Sequence, residues 1–272
     1  MLKKKSLGQN FLKDKNIVGK IIDAGDIHSS DVVVEVGPGE GVMTEVLLRT
    51  AGKVIAVEKD HRLIPLLQRK FAEEIGSGKL ELIEQDILKL DMSKVPFDIK
   101  RYKVIANIPY YITGQIIRMF LETENQPGTM VLLVQKEVAE RIVVRENKPF
   151  DSAQGKESLL SLSVKVFGEP KLVRTVGRGA FSPQPNVDSA VLLIENISKN
   201  KLEGRDEKFF FEVLHAGFAH KRKQLLPNLS ALFPKEKLAR IFDECNISPL
   251  ARAEDIPLQT WIQIISAAAK IK

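Results

Sequence analysis

Short β-branched runs alternate along the chain with longer segments whose apolar residues recur every three or four positions. The first run, Asp31-Val32-Val33-Val34-Glu35-Val36, suits a central parallel strand buried on both faces. It enters Gly37-Pro38-Gly39-Glu40-Gly41, and Val42 to Arg49 then has helical spacing. Lys53-Val54-Ile55-Ala56-Val57 predicts a second strand, and Asp60 to Glu74 a helix broken or kinked near Pro65. A turn at Gly76-Ser77-Gly78 leads into a third strand, Leu80-Glu81-Leu82-Ile83. Tyr102 to Ala106 predicts the fourth strand, Thr113 to Glu122 a helix, Gly128 to Val134 the fifth strand and Lys136 to Val144 another helix. Arg145 to Lys156 reads as a polar surface loop. Leu159 to Val166 and Lys171 to Val176 suit helix and strand, and Ala190 to Glu195 a last strand. Near the start, Asn16 stands where it would cap a helix over Ile17, Val18, Ile21 and Ile22.

Strand and helix alternating in this way predict a doubly wound α/β sheet. The composition shifts at residues 196–201, after which no convincing strand follows. Phe209 to Ala219, Leu225 to Phe233, Lys235 to Cys245 and Gln259 to Ala269 read as helices. The expected organisation is an α/β domain over 1–197 and a small all-helical domain over 198–272.

Composition adds limits. With 272 residues, 44% of them hydrophobic, the chain can bury a sizeable core. Its one cysteine, Cys245, excludes an intrachain disulfide and a Cys-based zinc site, and no metal is expected. A single thiol fits a reducing, cytoplasmic setting. No apolar run is long enough to span a membrane. The basic start, Met1-Leu2-Lys3-Lys4-Lys5, lacks the apolar stretch of a signal peptide, so secretion is rejected. The net charge of +6 favours polyanionic partners such as nucleic acid or a ribosome surface. Lys221, Arg222 and Lys223, after His220, are candidates for RNA-phosphate contact; a solvated face that complements a helix dipole is the default alternative.

The chemistry gathers where strands are expected to end. The glycine loop has the spacing G-x-G-x-G with Val42 in place of the third glycine of the dinucleotide fingerprint, and no P-loop lysine is present. Glu58 ends the second strand, 21 residues past Gly37, where it can accept hydrogen bonds from ribose hydroxyls. Asp86 follows the third strand and can accept from an adenine amino group, an exposed loop acid being the competing reading. A glycine loop, a ribose acid and an adenine acid without phosphate-binding lysine describe S-adenosylmethionine, held by Gly37, Gly39, Glu58 and Asp86. The fourth strand breaks into Asn107-Ile108-Pro109-Tyr110-Tyr111. Asn107 Oδ1 and the Ile108 or Pro109 carbonyl suit the two N–H groups of an aromatic amine, with Tyr110 stacking on its ring. Held so, the nitrogen can direct its lone pair at a methyl donor without a strong base. Phe181, in the Pro183/Pro185 loop, either closes the other side of that base or is a core aromatic.

With these residues placed, the sequence resembles the ribosomal RNA adenine N6,N6-dimethyltransferase family, specifically its small-subunit branch, over nearly the whole chain. Gln9-Asn10-Phe11-Leu12 is similar to the family's N-terminal motif, which implies cofactor contacts for Asn10 and Leu12, and Asn107 falls where the family binds the methyl-donor end. Glu35 to Gly41 is similar to its glycine loop, Asn107-Ile108-Pro109-Tyr110 to its catalytic motif, and Phe181-x-Pro183-x-Pro185-x-Val187-x-Ser189 to its late loop. Gly217-Phe218-Ala219-His220-Lys221-Arg222-Lys223 resembles the small-subunit branch rather than the antibiotic-resistance enzymes. The resemblance implies a Rossmann-like methyltransferase sheet with a helical C-terminal domain. It also implies S-adenosylmethionine as donor and dimethylation of two adjacent adenines near the 3′ end of small-subunit (16S) rRNA. The enzyme would act as a cytoplasmic monomer on an immature 30S particle. One departure stands out: Gly155-Lys156-Glu157-Ser158 replaces the tyrosine-glycine pair of relatives.

Overall fold

The structure is a computed structural model and describes residues 10–90, 102–143 and 156–270. The basic start at Lys3 to Lys5, Gln9 of the N-terminal motif and residues 145–155 of the expected surface loop lie outside the described residues.

Nine strands form. They are β1 (Phe11–Leu12), β2 (Val32–Val36), β3 (Lys53–Glu58), β4 (Leu80–Glu84), β5 (Lys103–Asn107), β6 (Thr129–Gln135), β7 (Glu169–Val176), β8 (Phe181–Ser182) and β9 (Ser189–Glu195). Seven of them make one sheet in the order β4-β3-β2-β5-β6-β9-β7. The chain runs outward from β2 through β3 to β4, then returns to place β5 on the other side of β2. This reversal opens a crevice between the carboxyl ends of β2 and β5, the place where such sheets bind ligands. The pairs from β4 to β6 are parallel, while β9 runs antiparallel between β6 and β7. The β-branched runs explain the parallel part: Val33, Val54, Val104 and Val131 are fully enclosed.

Helices α1 (Lys15–Ala24), α2 (Val42–Thr50), α3 (Ile64–Lys70), α4 (Ala72–Gly76), α5 (Thr113–Leu121) and α6 (Lys136–Ile142) follow the expected segments, with two differences. Asp14 rather than Asn16 caps α1: its Oδ1 accepts the Asn16 N–H at 2.9 Å. Asn16 sits inside the first turn, and the Ile17, Val18, Ile21 and Ile22 face is buried as its spacing requires. The expected kink at Pro65 is not there either. Pro65 lies in the first turn of α3, where its missing N–H costs nothing, and the break comes at Phe71, which is buried.

A second, small sheet pairs β1 with β8, Phe11 opposite Ser182 and Leu12 opposite Phe181. Leu12 and Phe181 join the hydrophobic core cluster with Val18, Met43, Ile105 and Leu133. The rigid loop expected from Ala180 to Ser189 therefore contains a short strand tied to the N-terminal segment.

Packing groups the chain into two units, residues 1–139 with 168–197, and 140–167 with 198–272. The second unit contains α7 (Leu159–Phe167), α8 (Glu207–Gly217), α9 (Leu225–Leu229), α10 (Lys235–Glu244) and α11 (Leu258–Ala269). Trp261 of α11 is fully buried and stacks on Phe218 at 5.8 Å. Phe167 of α7 stacks on Phe211 of α8 at 5.8 Å. Helix α7 thus packs with the helical unit, although it precedes the compositional shift at 196–201. Lys221, Arg222 and Lys223 are exposed in the turn between α8 and α9.

A side chain on Gly217 would overlap the buried Trp261 ring. Gly217→Ala is therefore expected to lower unfolding free energy by about 1–3 kcal/mol, the usual cost of overpacking, although alanine favours a helix by about 1 kcal/mol. Denaturant titration followed by Trp261 fluorescence measures it.

Candidate active site

The site is built from three strand ends. β2 delivers the glycine loop, in which Gly37, Gly39 and Gly41 have φ of 71°, 61° and 74°. Only glycine holds those angles without strain. A Cβ on Gly39 would also come within 2.8 Å of the Phe11 ring. β3 ends in Glu58 and β5 in Asn107. Because Val36 pairs with Ala106, Gly37 and Asn107 face each other across the crevice.

Glu58 is buried and held from two directions. The Gly39 N–H donates to its Oε2 at 3.2 Å and the Asp60 N–H to its Oε1 at 2.7 Å. Burial raises its pKa, and those two N–H groups oppose the rise. Asp86 caps a one-turn 3₁₀ helix over Ile87–Lys89 by accepting the Leu88 N–H at 3.1 Å. Its other oxygen accepts Lys59 Nζ at 2.7 Å, and that bond holds its pKa below the ordinary range. Lys59, Asp86, Leu88, Pro109 and Tyr111 line a cavity of about 400 Å³ that also touches Gly37.

Two smaller cavities adjoin Gly37. One is lined by Asn10, Phe11, Glu58, Asn107 and Tyr110, the other by Leu12, Glu35, Gly39, Met43 and Asn107. Asn107 Nδ2 donates to the Asn10 carbonyl at 2.9 Å, which leaves Oδ1 as its acceptor end. The chain then turns at Pro109, whose carbonyl accepts the Ile112 N–H at 3.1 Å. Of the two carbonyls considered for an amine, that of Pro109 thus already accepts one bond within the turn. Tyr110 is half-buried, and its hydroxyl lies 2.7 Å from Ser189 Oγ. Burial raises the phenol's pKa, so it stays protonated at neutral pH.

The structure brings together Asn10, Leu12, Gly37, Gly39, Glu58, Asp86, Asn107, Ile108, Pro109 and Tyr110. Phe181 lines none of these three cavities; the β1–β8 ladder turns its ring into the core. Of its two readings, the core aromatic is the one its 6% exposure favours. Among the described residues no cluster of His, Cys, Asp and Glu could hold a metal ion.

Sequence reasoning gave no individual role to Lys59, nor to Glu35 and Ser189, which it named only as members of the glycine-loop and late-loop motifs. Glu35 is fully buried; its Oε2 accepts the Thr44 hydroxyl at 2.6 Å, while its Oε1 has no partner. Burial pushes its pKa up to about 7. An acid inside a β-branched run was the visible signal, since a strand interior does not enclose a lone carboxylate without use for it.

The site fits S-adenosylmethionine. An unpartnered carboxylate oxygen suits an ammonium group, Glu58 suits a ribose diol, and the large cavity beside Asp86 suits an adenine ring.

Comparison with known proteins gives one family. The profile of the ribosomal RNA adenine dimethylase family matches residues 1–270. The chain is 41% identical to the ribosomal RNA small subunit methyltransferase A of Dehalococcoides mccartyi (strain ATCC BAA-2100 / JCM 16839 / KCTC 5957 / BAV1), over 95% of this chain and 86% of that one. It is 40% identical to the protein of the same name from Bacillus cereus (strain B4264), over 97% and 90%. Among solved structures, a dimethyladenosine transferase from Plasmodium falciparum aligns with a TM-score of 0.80 at 26% identity, covering 96% of this chain and 98% of that one. The 23S rRNA methyltransferase ErmE shares the fold, with a TM-score of 0.74 at 24% identity, over 95% and 99%.

Glu35 makes the cofactor-free protein pH-sensitive. Its pKa rises from 4.5 to about 7 on folding, so the folded state keeps a proton that the unfolded chain releases. Stability from this group is full below 4.5 and is lost as pH rises to about 7. Relative to the native chain, Glu35→Gln is expected to gain about 3 kcal/mol between pH 4.5 and pH 8, read from denaturant midpoints at the two pH values.

Proposed function

The chain belongs to the ribosomal RNA adenine dimethylase family, and from that premise we propose how its residues carry out the reaction and which RNA they act on. The protein is an S-adenosylmethionine-dependent rRNA adenine N6,N6-dimethyltransferase. Its proposed target is a pair of adjacent adenines near the 3′ end of small-subunit rRNA, within an immature 30S particle. The names of relatives about 40% identical over almost the whole chain support the small-subunit reading. The exposed basic turn Lys221-Arg222-Lys223 supports an RNA partner, since its charges suit phosphates. No helix among the described residues is long and apolar enough to cross a membrane. We take the enzyme to work as a monomer in the cytoplasm, where ribosomes mature.

On this reading Gly37 and Gly39 admit the donor's backbone-close part and Glu58 accepts from its ribose hydroxyls. Asp86 accepts from its adenine amino group, while Asn10 and Leu12 close over it from the N-terminal segment. When bound, S-adenosylmethionine supplies an electrophilic methyl group on a sulfonium sulfur. The chain's task is to hold a weak nucleophile in line with that methyl. Asn107 Oδ1 and the Ile108 carbonyl accept the two N–H groups of the adenine amine, which keeps the nitrogen's lone pair off the ring. Pro109 fixes the turn that aims both acceptors. Tyr110 stacks on the base after it has left its helical stack, a contact worth about 1–3 kcal/mol. Phe181 supports the acceptor side from the core. No residue needs to be a strong base, because the amine proton becomes acidic once the new bond forms. Rate enhancement then rests on positioning and fixed dipoles.

The observation that carries this reading is the Asn107–Asn10 bond of 2.9 Å. It engages the amide nitrogen with Asn10 and supports the reading in which Oδ1 is the end that meets an amine. Purified enzyme should place N6,N6-dimethyladenosine in unmethylated small subunits, detected by mass spectrometry of nucleosides; an unmodified RNA would sink the proposal. Glu58→Ala should weaken donor binding roughly 100-fold, from two lost hydrogen bonds to a charged group, as measured by equilibrium dialysis.

A further inference from the structure

Tyr110 follows Pro109 directly and begins a one-turn 3₁₀ helix, Tyr110–Ile112. Such a turn is short and its hydrogen bonds are poorly aligned, so it does little to fix a ring. The neighbouring Tyr111 carries no such restraint and is 66% exposed. What distinguishes Tyr110 is a second anchor 79 residues away, the Ser189 hydroxyl at 2.7 Å.

Ser189 is a stiff post. It is fully buried and opens β9, paired with Gln135 of β6 on one side and Val176 of β7 on the other. The residue before it is bolted twice. The Asp188 carbonyl accepts the Lys136 N–H at 3.0 Å, and Asp188 Oδ1 accepts the Arg178 N–H at 3.1 Å. Because β9 runs antiparallel, its first residue lies at the end of the sheet where β5 and β6 finish. A hydroxyl from the late loop therefore reaches the acceptor turn.

We propose that Ser189 is a positioning residue that holds the Tyr110 ring through its hydroxyl, and that this tether matters more for the second methyl transfer to a nitrogen than for the first. The inference rests on the acceptor geometry proposed above. An unmodified amine has two N–H groups for the two acceptors, Asn107 Oδ1 and the Ile108 carbonyl. After one transfer it has a single N–H and an added methyl. One hydrogen bond then leaves the ring free to rotate about it, so the stacking face supplies the missing orientation. A tilted Tyr110 still permits the first transfer and impedes the second.

The test compares the native chain with Ser189→Ala, Tyr110→Phe and the double variant on unmethylated small subunits. It reads kcat, KM, donor affinity and the ratio of N6-methyladenosine to N6,N6-dimethyladenosine at matched methyl incorporation. Each single change should lower kcat about five- to tenfold, the worth of one hydrogen bond, with donor affinity unchanged. The double variant should be no slower than the slower single one, and the monomethyl share should rise several-fold in all three. If the losses multiply, or the product ratio stays native, the proposal is overturned. Tyr110→Phe keeps the ring and the buried serine, so its product ratio decides the matter even if Ser189→Ala does not fold. A native enzyme that forms no dimethyladenosine would overturn the parent reading, whereas a normal native enzyme with an unchanged variant ratio overturns this one alone.

Discussion

Everything at the site depends on β2 and β5 lying side by side, with Val36 opposite Ala106. That register puts Gly37, in the proposed donor loop, against Asn107, in the proposed acceptor motif. A shift of one residue would send each enclosed valine to the opposite face of the sheet, against neighbours it does not fit, and turn Asn107 away from the crevice. The valine-rich strands make such a shift costly, so the alignment of the proposed donor and acceptor pockets is inherited from hydrophobic burial.

The same crevice carries features that work against stability. Glu35 is enclosed with one oxygen unpartnered, and Glu58 is enclosed with a raised pKa. Three glycines take left-handed backbone angles, where the chain surrenders conformational freedom. These features cluster around Gly37, which touches all three cavities. Local rules of folding are broken where ligand chemistry needs polar groups without water. The second sheet, β1 with β8, binds the N-terminal segment to the loop that leads to Ser189. The donor and acceptor sides therefore share one scaffold, and a change in either strand reaches both.

Much of this was legible in the chain. The strand runs, the glycine loop, Glu58 at the end of β3 and the break after Asn107 each carry a local signature: periodicity, glycine, or a polar residue closing an apolar run. Local signatures also misled. Asn16 is as good a cap as Asp14 by residue type, and only the path of the chain selects between them. Pro65 reads as a kink when the helix is drawn too long, and as a first-turn residue once buried Phe71 ends it. Phe181 could be read as a base-stacking or a core ring, since an aromatic serves either use and nothing local tells which.

Alone, the sequence determined the α/β class, the methyl-donor chemistry and, through its motifs together, the family, and it supplied the proposed acceptor motif. Those features depend on residues near one another in the chain or on patterns that repeat. Tertiary structure decided the rest: the antiparallel entry of β9, the packing of α7 with the helical unit, and the partners of Asn107, Asp86 and Tyr110. Asn10 is 97 residues from Asn107 and Ser189 is 79 from Tyr110, so no local pattern encodes either contact. They exist because a twisted sheet brings distant strand ends to one edge, and only the folded chain specifies which ends meet.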